Sequence, residues 1–287
     1  MKYIRLLRVH QWIKNLFIFI PAFFGGVLSE FNVVVSLIQG FLCFSLVASS
    51  VYILNDYRDI ENDRKHPEKK ARPLASGEVT KIQAILILGC LGPLGLVWSY
   101  AIDLNFFFCL VIYSLINIAY SLGLKNISIL DIMIVAVGFL LRTISGGFVI
   151  GIEISSWLVI MVFLLALFLA FAKRRDDLLI TEQSGQVLRK VSKNYNMEFV
   201  TSGLSMISAI IIVSYVMYSL SPEVMKKFDF EYVYFTSVFV IAGVLRYLQL
   251  CLVENDSASP TKIFYSDRFI QVTLLCWMMS FFFIIYY

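Results

Sequence analysis

The sequence predicts an all-α integral membrane protein, a bundle of about nine transmembrane helices whose polar residues gather toward one membrane face. Three observations carry that prediction. Of 287 residues, 59% are hydrophobic and 15% charged, where a soluble domain carries roughly 25% charged residues. The mean hydropathy is +0.80. The apolar residues also fall in long runs: Leu16 to Ile53 contains a single charge, Glu30, and covers about two bilayer crossings at ~20 residues each.

Polar breaks divide these runs into nine spans, at 14–29, 33–54, 81–101, 104–121, 128–150, 155–172, 200–220, 233–252 and 268–286. Pro21 and Gly25-Gly26 interrupt the first. It does not read as a cleavable signal peptide, because no small-residue cleavage site follows and the second span starts almost at once. The whole chain, 1–287, reads as one transmembrane domain.

Lysine and arginine set the expected orientation. The N-terminal arm carries Lys2, Arg5, Arg8 and Lys14, and the 55–81 loop carries Arg58, Arg64, Lys65, Lys69, Lys70, Arg72 and Lys81. With Lys125, the 173–198 loop (Lys173, Arg174, Arg175, Arg189, Lys190, Lys193) and Lys262 and Arg268, one side holds 20 of the 24 basic residues. The other side has Lys226 and Lys227, while Arg142 and Arg246 lie within spans, Arg246 near enough to the edge to snorkel. The positive-inside rule then places the N-terminus in the cytoplasm and the C-terminus outside, in a multi-pass protein of the cytoplasmic membrane. The connections on the cytoplasmic side, 55–80 and 173–199, are also the long, charged ones, and long loops on one face carry function more often than short turns do.

Other chemistries find little support. Cys43, Cys90, Cys109, Cys251 and Cys276 all sit in apolar runs without C-x-x-C pairing, so they read as small apolar residues and not as disulfides or zinc ligands. His10 and His66 are too few for a histidine metal site. The basic loops are accounted for by orientation, and no nucleic-acid partner is expected.

The chemistry concentrates after the second span. Asn55-Asp56-Tyr57-Arg58-Asp59-Ile60-Glu61-Asn62-Asp63 continues directly from an apolar helix. If the helix runs on, Asn55, Asp59 and Asp63 share one face, with Asp56 flanking. Like charges at that spacing repel, and desolvation near the membrane adds to the penalty. A bound Mg²⁺ removes it, since that ion takes one or two carboxylates together with waters and phosphate oxygens. Asn55, Asp56, Asp59 and Asp63 are therefore the candidate metal ligands. The alternative is a solvated acidic helix end neutralised by Arg58 and Arg64. The motif leads into His66-Pro67-Glu68-Lys69-Lys70-Ala71-Arg72-Pro73-Leu74-Ala75-Ser76-Gly77, whose cations suit a phosphate-rich ligand beside the metal.

The run N-D-x-x-D-x-x-x-D-x-x-x-P-x-K-x-x-R-P-x-A-S-G resembles the first signature of the UbiA superfamily of membrane prenyltransferases. A second similar stretch is Tyr120-Ser121-x-x-Leu124-Lys125 with Asp131 and Arg142. The resemblance implies a nine-helix bundle with a cytoplasm-facing polar cavity that opens toward lipid. Ordinary members carry a second D-x-x-x-D after the sixth span, but here that place reads Lys173-Arg174-Arg175-Asp176-Asp177. With Arg8-x-x-Gln11-Trp12-x-Lys14-Asn15 and Asp267-Arg268-x-x-Gln271, the chain looks like the branch that transfers phosphoribosyl groups from phosphoribosyl pyrophosphate (PRPP) to polyprenyl phosphates. Charge agrees: PRPP brings about five negative charges and the lipid phosphate about two. Taken alone, Lys173–Arg175 also reads as a stop-transfer cluster.

The expected roles follow from that resemblance. Asp56, Asp59 and Asp63 are catalytic through Mg²⁺. Lys69, Arg72, Lys125 and Arg142 neutralise PRPP, with Asn15, Tyr120 and Asp131 alongside, and Lys14, Lys173 and Arg174 hold the lipid phosphate. An arginine inside a span is costly unless paired, so Arg142 either holds a phosphate in the cavity or is tied structurally to a carboxylate or helix carbonyls. The rival functions are a prenyltransferase acting on a prenyl diphosphate and a small acceptor, and a transporter, although no internal repeat of the kind transporters show is evident. A homo-oligomer is compatible with the sequence.

Overall fold

In hydrocarbon a segment must satisfy its own backbone polar groups, which makes helices of the apolar runs. The computed structural model describes residues 2–65, 69–184, 191, 194–254, 263 and 265–287. His66, Pro67 and Glu68 of the motif, and Arg189, Lys190, Lys193 and Lys262, lie outside the described residues. Among those described, every regular element is helical, and eight helices are long and apolar enough to cross a membrane. The chain forms two compact units, Met1–Ser155 and Ser156–Tyr287.

In the first unit, α1 (Lys2–Leu6) leads into a 3-10 helix (Val9–Phe19) and α2 (Ile20–Phe24). Then come α3 (Phe31–Arg58), α4 (Ile60–Lys65), a 3-10 turn (Lys69–Ala71), α5 (Lys81–Ile102), α6 (Leu104–Leu122) and α7 (Leu130–Ile150). The second unit has α8 (Ser156–Ser184), α9 (Met197–Ser219), α10 (Pro222–Phe228), α11 (Ser237–Leu252) and α12 (Arg268–Tyr286).

Helix starts follow side-chain capping. Thr80 and Gln83 form a reciprocal capping box on α5, at 3.2 and 3.1 Å. Asp103, Asn196 and Asp267 cap α6, α9 and α12 by accepting from the backbone three residues on. Side chains such as Leu86, Val97, Leu115, Val213 and Leu275 are exposed on the helix surfaces, as suits helices that face lipid.

The first expected span, 14–29, is not one continuous α-helix. Its start is an 11-residue 3-10 helix, longer than such helices usually run. The tighter coil has three residues per turn, so residues three apart line up. Trp12, Asn15 and Ile18 thereby share one face: Trp12 donates to Ser49 at 3.0 Å, Asn15 to Ser45 at 2.9 Å, and Ile18 is fully buried. Gly146 of α7 makes room for this segment, because a Cβ there would stand 2.0 Å from the Ile18 carbonyl oxygen. Gly95 of α5 does the same for α3, where a Cβ would meet Val47 at 2.7 Å.

Two helices outrun their apolar parts. α3 continues through Asn55 and Asp56, and α8 carries the basic run from Lys173 as helix through Ser184, where a loop was expected.

Candidate active site

The site in the first unit grows from one face of α3. Ser45, Ser49, Tyr52, Asp56 and, past the helix end, Asp63 recur at three-, four- and seven-residue spacing, which keeps them on one side of a helix. The break between α3 and α4 at Asp59 is slight, since Asp59 N–H still donates to Asn55 O at 3.0 Å and Asp63 N–H to Asp59 O at 2.8 Å. The motif therefore stays in helical register.

Its four members divide into two pairs. Asp56 and Asp63, both buried, converge on Arg72: Nη1 lies 3.0 Å from Asp56 Oδ1 and 2.7 Å from Asp63 Oδ2. Arg8 grips Asp56 from the other side, with Nε at 3.1 Å from Oδ2 and Nη2 on Oδ1. Asn55 and Asp59 instead face the end of α6 and the turn beyond it. Ser121 donates to Asn55 Oδ1 at 3.2 Å, and Lys125 Nζ lies 2.7 Å from both Asp59 oxygens. This differs from the expected single face of Asn55, Asp59 and Asp63. Seven residues, about two turns, bring Asp56 and Asp63 into line, while Asp59 lies off that line.

Among the described residues no group of three or more acidic, histidine or cysteine side chains is arranged to hold a metal. The donor chemistry of the Asp56–Asp63 pair nevertheless fits a hard divalent cation. Two carboxylates are what Mg²⁺ usually takes from protein, and both already converge on one positive nitrogen, Arg72 Nη1.

Arg142 is buried and bonded to protein groups. It is 4% exposed, and its nitrogens donate to Asn15 Oδ1 at 2.8 Å, the Gly138 carbonyl at 2.6 Å and Tyr113 OH at 2.9 Å. The rings of Phe44, Tyr113 and Phe139 surround it within 5.5 Å, so cation–π attraction offsets part of the burial cost. It makes no ion pair among the described residues. As placed, it faces protein oxygens and rings, and it holds Asn15 where the 3-10 helix meets α7.

The remaining candidates spread out. Lys14 lies within electrostatic reach of Tyr52. Lys69 stands in its short 3-10 turn, and Tyr120 is half-buried in the last turn of α6. Asp131 is fully buried in the first turn of α7, just after Ile129, which has an unusual φ of 70°. In the second unit Arg174 is buried and paired with Asp177 at 2.7 Å, and Lys173 is half-buried beside it on α8.

Sequence reasoning gave no role to Arg8, Tyr52 or Tyr113. Arg8 stacks over the Tyr52 ring at 5.3 Å, and the hydroxyls of Tyr52 and Tyr113 are hydrogen-bonded. A chain of contacts thus runs from Asp56 through Arg8, Tyr52 and Tyr113 to Arg142. The available signal was the helical spacing of Ser45, Ser49, Tyr52 and Asp56 within an apolar run.

Long apolar helices define a multi-pass membrane protein, and its first unit carries an acidic, cation-bridged helix end. The chain belongs to the UbiA prenyltransferase family, whose model matches residues 18–273. It is 31% identical to the decaprenyl-phosphate phosphoribosyltransferase of Mycolicibacterium smegmatis, over 96% of this chain and 89% of that protein. It is 28% identical to the protein of that name from Mycobacterium tuberculosis, over 96% of this chain and 91% of the relative. Its fold matches that of the UbiA homologue from Archaeoglobus fulgidus solved with GPP and Mg²⁺, with a TM-score of 0.72, 22% identity and 99% of both chains covered.

Proposed function

We propose that the protein transfers the 5-phosphoribosyl group of PRPP to a polyprenyl phosphate, releasing pyrophosphate and forming polyprenyl-phosphoryl-5-phosphoribose. The observation that carries this reading is the run Lys173-Arg174-Arg175-Asp176-Asp177, cationic where ordinary members of the family carry a second D-x-x-x-D. The names of the sequence relatives support the same chemistry.

Asp56 and Asp63, with Asn55 and Asp59 alongside, would hold Mg²⁺, which when bound offsets charge on the pyrophosphate oxygens. Arg72 and Lys125, already seated on these carboxylates, neutralise the donor phosphates together with Lys69. Tyr120 and Asp131 orient the donor or Lys125. The bond from ribose C1 to pyrophosphate breaks through an oxocarbenium-like transition state, and fixed cations stabilise the leaving charge. A lipid phosphate oxygen forms the new bond to C1. That oxygen is anionic at neutral pH, so the step needs no strong general base, in keeping with a chain of two histidines. Lys173 and Arg174 are the candidates for holding the lipid phosphate, with Lys14 a further one. Arg142 and Asn15 serve by fixing the interior on which Arg8 and Asp56 rest. The whole chain serves this one activity in the cytoplasmic membrane, N-terminus inside and C-terminus outside, and as a homo-oligomer if it self-associates.

The test is direct. Purified protein given PRPP, Mg²⁺ and a polyprenyl phosphate should release pyrophosphate and form a phosphoribosyl lipid detectable by mass. Absence of that lipid, with the protein folded, overturns the reading.

A further inference from the structure

The second unit holds a buried charged cluster of its own. Past its apolar part, α8 presents Lys173 to Asp177, with Arg174, Arg175 and Asp177 all buried. Arg174 pairs with Asp177 at 2.7 Å, and Arg175 Nη1 donates to the Cys251 carbonyl on α11. That second bond ties the end of α11 to the cations. Tyr247 lies four residues before Cys251 and so on the same face of α11. Its ring packs on Phe168 of α8 at a centroid distance of 5.0 Å, and Phe168 stands two turns before Arg175 on α8. The Tyr247 hydroxyl lies within electrostatic reach of Asp176 and Cys251.

Tyr247 is 5% exposed, and its hydroxyl oxygen is buried with no hydrogen-bond partner among the described residues. Buried polar atoms without partners are rare in native proteins, because desolvation without compensation is costly. A phenol at neutral pH has a proton to donate, so the missing partner is an acceptor oxygen. Lys173, Arg174 and Arg175 against Asp176 and Asp177 leave the run net positive, which favours an acceptor that carries negative charge. The aromatic ring of Phe168, packed on the Tyr247 ring, suits an apolar tail.

We propose that the Tyr247 hydroxyl donates a hydrogen bond to the phosphate of the polyprenyl phosphate, making Tyr247 a binding residue for the acceptor beside Arg174 and Arg175. This rests on the phosphoribosyl-transfer reading for the identity of the acceptor. The shared chemistry is a phosphate oxygen, which the donor's 5-phosphate also offers, so the experiment treats the two substrates separately.

The probes are a short-chain polyprenyl phosphate, the uncharged polyprenol and PRPP with Mg²⁺, each titrated into the purified full chain and into Tyr247→Phe. Phenylalanine keeps the ring on Phe168, and the variant should melt no lower than the parent because it removes an unpartnered buried hydroxyl. The expected result is about tenfold weaker binding of the polyprenyl phosphate, the worth of one hydrogen bond to a charged group. Polyprenol and PRPP should bind as before. In turnover, KM for the lipid rises while kcat and KM for PRPP hold. Unchanged polyprenyl-phosphate binding overturns the inference, as does a loss confined to PRPP. If the parent binds the lipid in a Tyr247-dependent way yet transfers no phosphoribosyl group, the reaction is wrong and the site stands. If transfer proceeds and Tyr247→Phe is indifferent, the site is wrong and the reaction stands.

Discussion

Arg8 holds Asp56 through both carboxylate oxygens, although 48 residues separate them in sequence. Arg8 sits between α1 and the 3-10 helix in the left-handed region, at φ 51° and ψ 46°, a conformation that costs most residues some energy. The backbone thus bends to deliver a guanidinium to a buried carboxylate. Replacing Arg8 with alanine removes one of the two cations on Asp56 and leaves Arg72. The expected loss is about 2 kcal/mol, below that of a buried charge left wholly uncompensated. Thermal melting of the purified variant checks it, and Arg8→Lys should recover only part, since lysine cannot make the two-point contact.

Asp63 shares Arg72 with Asp56, and Asp59 is held by Lys125. Asp63→Asn and Asp59→Asn each remove a charge that the proposed reaction assigns to the metal and the donor, while keeping side-chain size. Turnover with PRPP should fall at least about 100-fold, with the purified variants still folded. Full activity in either variant would remove these carboxylates from the mechanism.

Much of this arrangement was legible in the sequence. Apolar runs of bilayer length located the eight long helices, and the N-D-x-x-D-x-x-x-D spacing located the acidic helix end. Lys125 and Arg72, picked out for their charge, prove to be the cations on those carboxylates. Other features were hidden for physical reasons. Pro21 and Gly25-Gly26 signalled an interrupted first span, but the 3-10 form depends on Ser45, Ser49 and Gly146, distant partners that no local propensity reports. Arg142 could be recognised as an unusual buried charge, yet whether it faced a ligand or the Gly138 carbonyl depended on packing. Arg246, near the end of its span, pairs with Asp267 at 2.7 Å and Glu254 at 2.8 Å, partners that only the placement of α12 beside it reveals.

Gly146 tests the packing that carries Asn15 to Arg142. A Cβ would strike the Ile18 carbonyl oxygen, a backbone atom that moves only with its segment. Gly146→Ala should destabilise by about 1–3 kcal/mol, the range for overpacking a tight contact. Melting of the purified variant reads this out, and an unchanged melting temperature would contradict the close approach.

Asp267 supplies a pH signature. Hydrogen bonds from Arg246 hold its carboxyl below the usual carboxylate range. A group depressed in the folded state stabilises fully above its unfolded pKa, about 3.9. That contribution disappears as the pH falls through the lower folded value. Asp267→Asn keeps a competent helix cap but loses the charge. Its melting deficit against the parent should be present at pH 7 and shrink below about pH 4. A deficit that is constant with pH would argue that the charge does not contribute.

PRPP and a lipid monophosphate, rather than a prenyl diphosphate and a neutral acceptor, are the expected substrates of this chain. The most direct measurement is a side-by-side assay of the purified protein with Mg²⁺. One reaction contains PRPP and a polyprenyl phosphate, and the other a prenyl diphosphate and an aromatic acid, with pyrophosphate release followed in both. Release confined to the first reaction is the predicted result. Release confined to the second would contradict the assignment and make the protein an ordinary prenyltransferase.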